Sequence, residues 1–269
     1  MEHIQMLVSQ MTRKNPMGSV GDCNMTLTEL KAKALNDECG TLAMGSVDCP
    51  ICKNKGYVAI VRDGELFTRD CECMAKRRSI KRMQASGLAD LLRDYTLEAY
   101  QTPEPWQKAA KSKAMDYVAS GMGHWFVVTG TPGTGKTHLC TAIAGKMIDA
   151  GKEVRYMLWR EDAPKLKASV MNDREYYDRI MDAYKSVDVL YIDDFFKGGN
   201  VTDADVSLAF ELLNARYIRA QSMTLISSEK TVEQFLDIDE AVGSRIYERS
   251  KGFCMKMPVA NWRLRNTRG

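Results

Sequence analysis

Five short apolar runs mark the second half of the chain, at residues 125–129, 154–159, 187–192, 223–227 and 253–257. Apolar runs of this length bounded by turn residues predict strands, and the nearly continuous third run predicts one buried on both faces. Between them the spacing predicts helices over 136–150, 203–219 and 232–236, with a polar helical stretch around 163–184. Thr202 followed three residues later by Asp205 is close to a capping box, with Asp in place of Glu. Strands alternating with helices predict a five-stranded parallel sheet with crossover helices, an α/β domain that begins at Arg93.

Ahead of Arg93 the pattern differs. Leu27, Leu30, Ala34 and Leu35 make a narrow stripe that predicts a helix near residues 26–39, with Thr26 or Thr28 as its cap. Residues 57–62 and 65–69 flank Asp63-Gly64, the preferred dipeptide of a type I′ hairpin turn. Such a turn sets Gly56 opposite Cys71 and Asn54 opposite Cys73. The expected organisation is an N-terminal helical or flexible region over 1–48, a cysteine module over 49–73, a basic helical linker over 74–92 and the α/β domain over 93–269.

Composition adds exclusions. The chain has 269 residues, 45% hydrophobic and 27% charged, which is ordinary for a globular protein. No run of 18 apolar residues exists, so no membrane span is expected. The first twenty residues lack an apolar h-region and a small-residue cleavage site, so the expected address is the cytoplasm. Net charge is only +3, too weak to argue for nucleic acid by itself. Lys76, Arg77, Arg78, Lys81 and Arg82 form a basic cluster that reads equally as a solvated helix face or as a phosphate- or partner-binding surface.

Gly130-Thr131-Pro132-Gly133-Thr134-Gly135-Lys136-Thr137 matches G-x-x-x-x-G-K-[ST] between an expected strand and an expected helix. Glycines let several N–H groups converge on one phosphate, and the helix N-terminus adds its dipole. Lys136 would place its charge on the β- and γ-phosphates of ATP, and the Thr137 hydroxyl would ligate Mg²⁺. Four apolar residues then lead into Asp193-Asp194. Asp193 would hold Mg²⁺ through water, and Asp194 would orient or deprotonate the attacking water. This pairing points to an AAA+ P-loop ATPase. In that architecture the strand ending in Ser227-Ser228-Glu229 lies between the other two, so Glu229 or Ser228 could reach the γ-phosphate. Arg245 is the candidate for a finger reaching a neighbouring subunit's ATP, with Arg249 as the alternative. Arg263 could touch phosphates in its own chain.

Of eight cysteines, Cys23, Cys39, Cys140 and Cys254 are scattered, and they read as small hydrophobes or free thiols. Cys49-Pro-Ile-Cys52 and Cys71-Glu-Cys73 are grouped at a spacing suited to a two-knuckle zinc site, although the second half is C-x-C. Four thiolates leave no open position on Zn²⁺, so such a site is structural.

These motifs, in this order and spacing, resemble the DnaC/DnaI-type replicative helicase loaders, particularly their phage and prophage relatives. The segment 94–100 is similar to that family's linker near the adenine, and a cysteine module before the ATPase core is similar too. The resemblance covers residues 49–269. It implies a slow, assembly-dependent ATPase that loads a DnaB-type hexameric helicase onto single-stranded DNA, with the N-terminal region docking on the helicase and the AAA+ domains self-assembling. The chain stops shortly after the last expected strand, so no C-terminal lid domain is expected, and residues before Cys49 match nothing in the family. An IstB-like transposition helper shares the same core. A zinc-dependent adaptor that uses ATP only as a switch is a third reading.

Overall fold

The computed structural model describes residues 25–42, 48–85, 88–120 and 123–258, and the chain forms two compact units. The smaller contains residues 25–42 and 48–71, and the larger begins at Glu72.

In the smaller unit, α1 (Leu27–Asp37) starts at Thr26, one of the two candidate caps, where Thr26 and Glu29 close a reciprocal capping box. Strands β1 (Tyr57–Arg62) and β2 (Glu65–Asp70) pair antiparallel from Tyr57↔Asp70 to Arg62↔Glu65. That is the register Asp63-Gly64 imposes, because both residues sit at positive φ, +53° and +80°, as a type I′ turn requires. Helix α1 also closes the outer edge of β1. The Asn36 amide donates to the Ala59 carbonyl (2.9 Å) and accepts from the Ala59 N–H (2.8 Å).

The larger unit opens with α2 (Cys73–Ala85), α3 (Ala89–Asp94) and α4 (Pro105–Ser120). Then follow β3 (Trp125–Thr129), α5 (Lys136–Asp149), β4 (Val154–Leu158), α6 (Trp159–Asn172) and α7 (Arg174–Ser186). The remainder is β5 (Val189–Asp193), α8 (Asp203–Ile218), β6 (Met223–Ser228), α9 (Val232–Ile238), α10 (Glu240–Arg249) and β7 (Cys254–Lys256). The sheet order is β4-β5-β6-β3-β7, parallel throughout. Alternate residues of a strand face opposite sides, and each side builds its own core. Trp125, Val127, Leu190 and Ile192 pack against α6 to α10, while Phe126, Val128, Val189 and Tyr191 pack with residues of α2 to α5.

Several details depart from the sequence pattern. The polar stretch expected over 163–184 is two helices, because Asp173 ends α6 and caps α7, accepting from the Tyr176 N–H at 2.9 Å. The pattern missed α4 and α10. Gly243 lies inside α10 because the α9 backbone passes close by: a Cβ there would sit 2.6 Å from the Leu236 nitrogen. Four of the five basic residues of the α2 cluster are engaged within the chain. Lys76 pairs with Asp149 at 2.7 Å, Arg78 and Arg82 both meet Glu153, and Arg77 is buried. Arg216, fully buried, donates to the carbonyls of Tyr184 (2.8 Å), Val187 (2.9 Å) and Met223 (2.6 Å), tying the end of α7 to the start of β6. Burial lowers its pKa to about 9, which still leaves it charged at neutral pH. Among the described residues no helix is long and apolar enough to cross a membrane.

Candidate functional site

The loop between β3 and α5 has the curled geometry its glycines permit. Gly130 and Gly135 adopt φ of +146° and +91°. A Cβ on Gly135 would also press on the Tyr100 ring at 3.3 Å. Gly135 caps α5, so the helix N-terminus opens onto the loop. Lys136 is 6% exposed, and its ammonium donates to the carbonyls of Gly130 (2.8 Å) and Thr131 (2.9 Å). The Thr134 hydroxyl also donates to the Thr131 carbonyl, at 2.9 Å. Burial pulls the Lys136 pKa down, opposed by the charges of Glu229 and Asp194.

Parallel pairing brings the strand ends together. Asp193 ends β5, and the Ile192↔Ile226 register puts Ser227 of β6 beside it. The Asp193 carboxylate accepts from the Ser227 hydroxyl, from the Tyr156 hydroxyl (3.2 Å) and from the Asp194 N–H (3.1 Å). The Thr137 hydroxyl lies 3.4 Å from both of its oxygens. Burial raises the Asp193 pKa, opposed most by the Ser227 hydrogen bond. A buried carboxylate beside a hydroxyl is an oxygen donor set suited to a hard divalent cation, whose charge would offset that burial. The residues therefore fit Mg²⁺.

Asp194 turns away from the strand at φ +54°. Its carboxylate meets the Lys197 ammonium at 3.1 and 3.2 Å, and the same ammonium meets Glu229 at 3.0 Å. Of the two expected γ-phosphate residues, only Glu229 lines the cleft. The Ser228 hydroxyl is turned inward, donating to the Phe195 carbonyl at 2.6 Å.

The cleft above the loop has a volume of about 490 Å³ and runs from Lys197 and Glu229 to Leu91, Tyr95 and Tyr100. The apolar end is built on His138, which stacks on Tyr95 (centroids 4.6 Å apart) and meets the edge of Tyr100. Its Nε2 lies 2.9 Å from the Thr96 carbonyl, which can only accept, so Nε2 carries the proton. Burial lowers the His138 pKa, keeping the ring neutral. Aromatic faces at one end and loop amides at the other suit a base and its phosphates.

Neither candidate finger lies in this cleft of its own chain. Arg245 donates to Asn214 (3.0 Å) and to the Ala241 carbonyl (2.7 Å), with its guanidinium over Phe210. Arg249 donates to the Ala220 carbonyl at 2.9 Å and covers Trp125. Arg263 lies outside the described residues.

The four grouped cysteines converge. Their sulfurs lie within 4.8 Å of one another, Cys49 and Cys71 at 3.7 Å. Tetrahedral Zn²⁺ with Zn–S bonds of about 2.3 Å spaces its sulfurs by roughly 3.8 Å. The first knuckle turns through Lys53, Asn54 and Gly56, all at positive φ, and the Gly56 N–H donates to the Cys52 sulfur at 3.3 Å. The set fits a structural zinc ion. Cys23 lies outside the described residues, Cys39 is exposed, Cys140 is buried and Cys254 is partly buried.

The family described as IstB-like ATP binding protein matches residues 51–268. The chain belongs to this family. It is 31% identical over 231 residues to the phage-like element PBSX protein XkdC of Bacillus subtilis (strain 168), covering 81% of this chain and 85% of that one. It is 25% identical over 196 residues to the replicative helicase loader DnaC of Escherichia coli (strain K12), covering 72% and 77%. The fold matches solved structures of DnaI (TM-score 0.51, 19% identity, 64% of this chain and 92% of that one) and of the DnaC helicase loader (0.51, 19%, 62% and 98%). It also matches DnaA bound to AMPPCP and single-stranded DNA (0.52, 21%, 62% of this chain), of which it spans about half the length, 51%. The α/β fold with a five-stranded parallel sheet is thus that of the AAA+ loaders, as the motifs implied, and the family is ATP-binding.

Of the residues expected from the motifs, Lys136, Thr137, Asp194 and Glu229 line the cleft and Asp193 lies behind Thr137, whereas Lys197 and His138 in the cleft and Ser227 and Tyr156 on Asp193 are not among those expected. Lys197 follows the acidic pair by three residues, a signal visible in sequence. Tyr156 carried none, since it reaches Asp193 only through the β4–β5 pairing.

Proposed function

We propose that this chain is an ATP-dependent loader of a DnaB-type hexameric replicative helicase onto single-stranded DNA. The observation that supports it most is the nucleotide-sized cleft lined by Lys136, Thr137, Asp194 and Glu229, with Asp193 buried 3.4 Å behind the Thr137 hydroxyl, in a chain similar to a named helicase loader. The loop amides and Lys136 hold the β- and γ-phosphates, and the Tyr95–His138 stack faces the base. Thr137 would ligate Mg²⁺ and Asp193 would hold it through water, and the ion when bound would neutralise phosphate charge. Asp194 accepts a hydrogen bond from the attacking water, and Glu229 lies beside the γ-phosphate. Hydrolysis is slow and depends on assembly, because the single chain leaves the γ-phosphate open to a neighbour's cation. The N-terminal region docks on the helicase in this reading.

Capture of a DnaB-type helicase by the purified chain tests the partner, and ATP-dependent binding of single-stranded DNA tests the cargo. DNA affinity should fall with salt by about 0.7 log–log units per phosphate contact. The positive charge comes from the assembled AAA+ inner face, including Lys165 and Lys167 on α6, of which Lys167 must leave Asp205, 2.6 Å away, to meet a phosphate. Neither helicase capture nor DNA affinity at low salt would leave the loader reading without support. The IstB-like family description favours a second reading, a transposition helper, and the same capture experiment separates the two. Absence of turnover at saturating Mg-ATP would favour an adaptor that uses ATP as a switch.

The finger is assigned to Arg245, which must leave Asn214 and the Ala241 carbonyl to reach a neighbour. Arg245→Ala should bind ATP as the wild type does but lose assembly-dependent turnover. Mixing it with Lys136→Ala protein should restore some turnover, since each variant lacks a different half of the shared site. Turnover indifferent to mixing and to protein concentration moves the finger to Arg249.

A further inference from the structure

We propose that Lys197 senses the terminal phosphate: its ammonium, shared between Asp194 and Glu229 in the structure, transfers to the γ-phosphate of a bound nucleoside triphosphate. This rests on the ATP reading of the cleft and extends it to a residue outside the recognised motifs.

The placement of Lys197 is built into the core. Its N–H donates to the Asp194 carbonyl at 2.9 Å, closing a turn in which Asp194 and Phe196, neither a glycine, both adopt left-handed φ, +54° and +53°. Such backbone persists only where surrounding packing enforces it. Here Phe195 and Phe196, both buried, stack at 4.1 Å and wedge against Trp159 and Phe235. The Phe195 N–H donates to the Ser227 carbonyl at 2.9 Å, so the turn is also pinned to β6. Two aromatic anchors thus hold Lys197 at the wall of the cleft.

Its partners give the placement a consequence. An ordinary surface lysine pairs with whatever carboxylate is near, whereas this one joins the two acidic groups assigned to the water and the γ-phosphate. Without it, Lys136 would face Asp193, Asp194 and Glu229 alone, and a triphosphate entering beside those carboxylates would be repelled. An ammonium has three N–H groups. One for Asp194 and one for Glu229 leave a donor for a phosphate oxygen. A γ-phosphate that draws Lys197 toward itself releases Asp194 to accept from water. ADP has no group at that position, so Lys197 stays on the carboxylates and the site remains latched.

Titration calorimetry with Mg-AMPPNP and with Mg-ADP, on wild type, Lys197→Met and Lys197→Arg, reads this directly. Lys197→Met should weaken AMPPNP binding roughly tenfold, as expected for one charge-assisted contact, with ADP binding changed little. Lys197→Arg should recover part of the loss, which a purely structural role of the turn would not produce. Equal loss for both nucleotides, or none for either, overturns the proposal. Wild-type protein that binds neither nucleotide overturns instead the ATP reading beneath it. Should Lys197→Met fail to fold, as judged by thermal unfolding, the same two titrations on Lys197→Gln decide.

Discussion

Lys136→Ala should lose nucleotide affinity by roughly two orders of magnitude or more while remaining folded, since several charge-assisted contacts to the phosphates vanish together. In the structure Lys136 is 6% exposed and its ammonium is bonded to the Gly130 and Thr131 carbonyls. It therefore sits within the loop that phosphates would occupy, in contact with the backbone that frames them. Removing it deletes two hydrogen bonds, costing about 1–3 kcal/mol of stability. The loop itself should persist, because its curl comes from the positive φ of Gly130, Gly133 and Gly135, and Thr134 still donates to the Thr131 carbonyl. The pairing of lost affinity with a near-normal melting curve is what distinguishes a ligand contact from a structural residue. Calorimetry with Mg-ATP reads the first and thermal unfolding the second. Affinity close to wild type would refute the phosphate-site assignment.

Protein purified without chelator should carry one zinc per chain, and Cys52→Ser should release it and unfold the smaller unit. Among the described residues of that unit, the buried hydrophobic side chains are Ala32, Cys49, Cys52, Ala59 and Cys71. Three of the five are cysteines, and every residue of β2 is exposed. So small an apolar core cannot offset the entropy of ordering a hairpin and a helix, and small domains of this kind depend on a metal or a crosslink. Structural zinc contributes on the order of 10 kcal/mol in such modules. Chelation should therefore raise amide hydrogen exchange across 48–71 while the P-loop domain, with its own two-sided core, keeps its melting transition. Cys39→Ser, at an exposed position, serves as the control and should change neither metal content nor exchange. A full complement of folded protein with no zinc by elemental analysis would overturn the assignment.

The features legible in the amino-acid sequence are local along the chain. The phosphate loop is eight consecutive residues whose geometry follows from glycine positions and a helix start. The hairpin register follows from Asp63-Gly64, while the α1 cap is narrowed only to Thr26 or Thr28 until the structure closes the Thr26–Glu29 capping box. Sheet order is legible only through the resemblance, since β4-β5-β6-β3-β7 depends on how crossover helices cover both faces. Element ends blur where side chains compete with the backbone. Asp173 splits one expected helix in two, and Gly243 reads as a loop until the neighbouring α9 backbone explains why no side chain fits there.

By itself the sequence determined which chemistry is present: a P-loop, an acidic strand end and four thiols, each declared by residues close together in the chain. The tertiary structure decided which partners those groups meet. Ser227 rather than Ser228 reaches Asp193, because adjacent residues of a strand point to opposite sides and the β5–β6 register selects one of them. The contacts of Tyr156 with Asp193, of His138 with Tyr95 and of Lys197 with Glu229 join elements that only folding brings together. Spacing along the chain encodes a loop or a turn, but contacts between strand ends and across a cleft are set by packing, and no short window of sequence contains them.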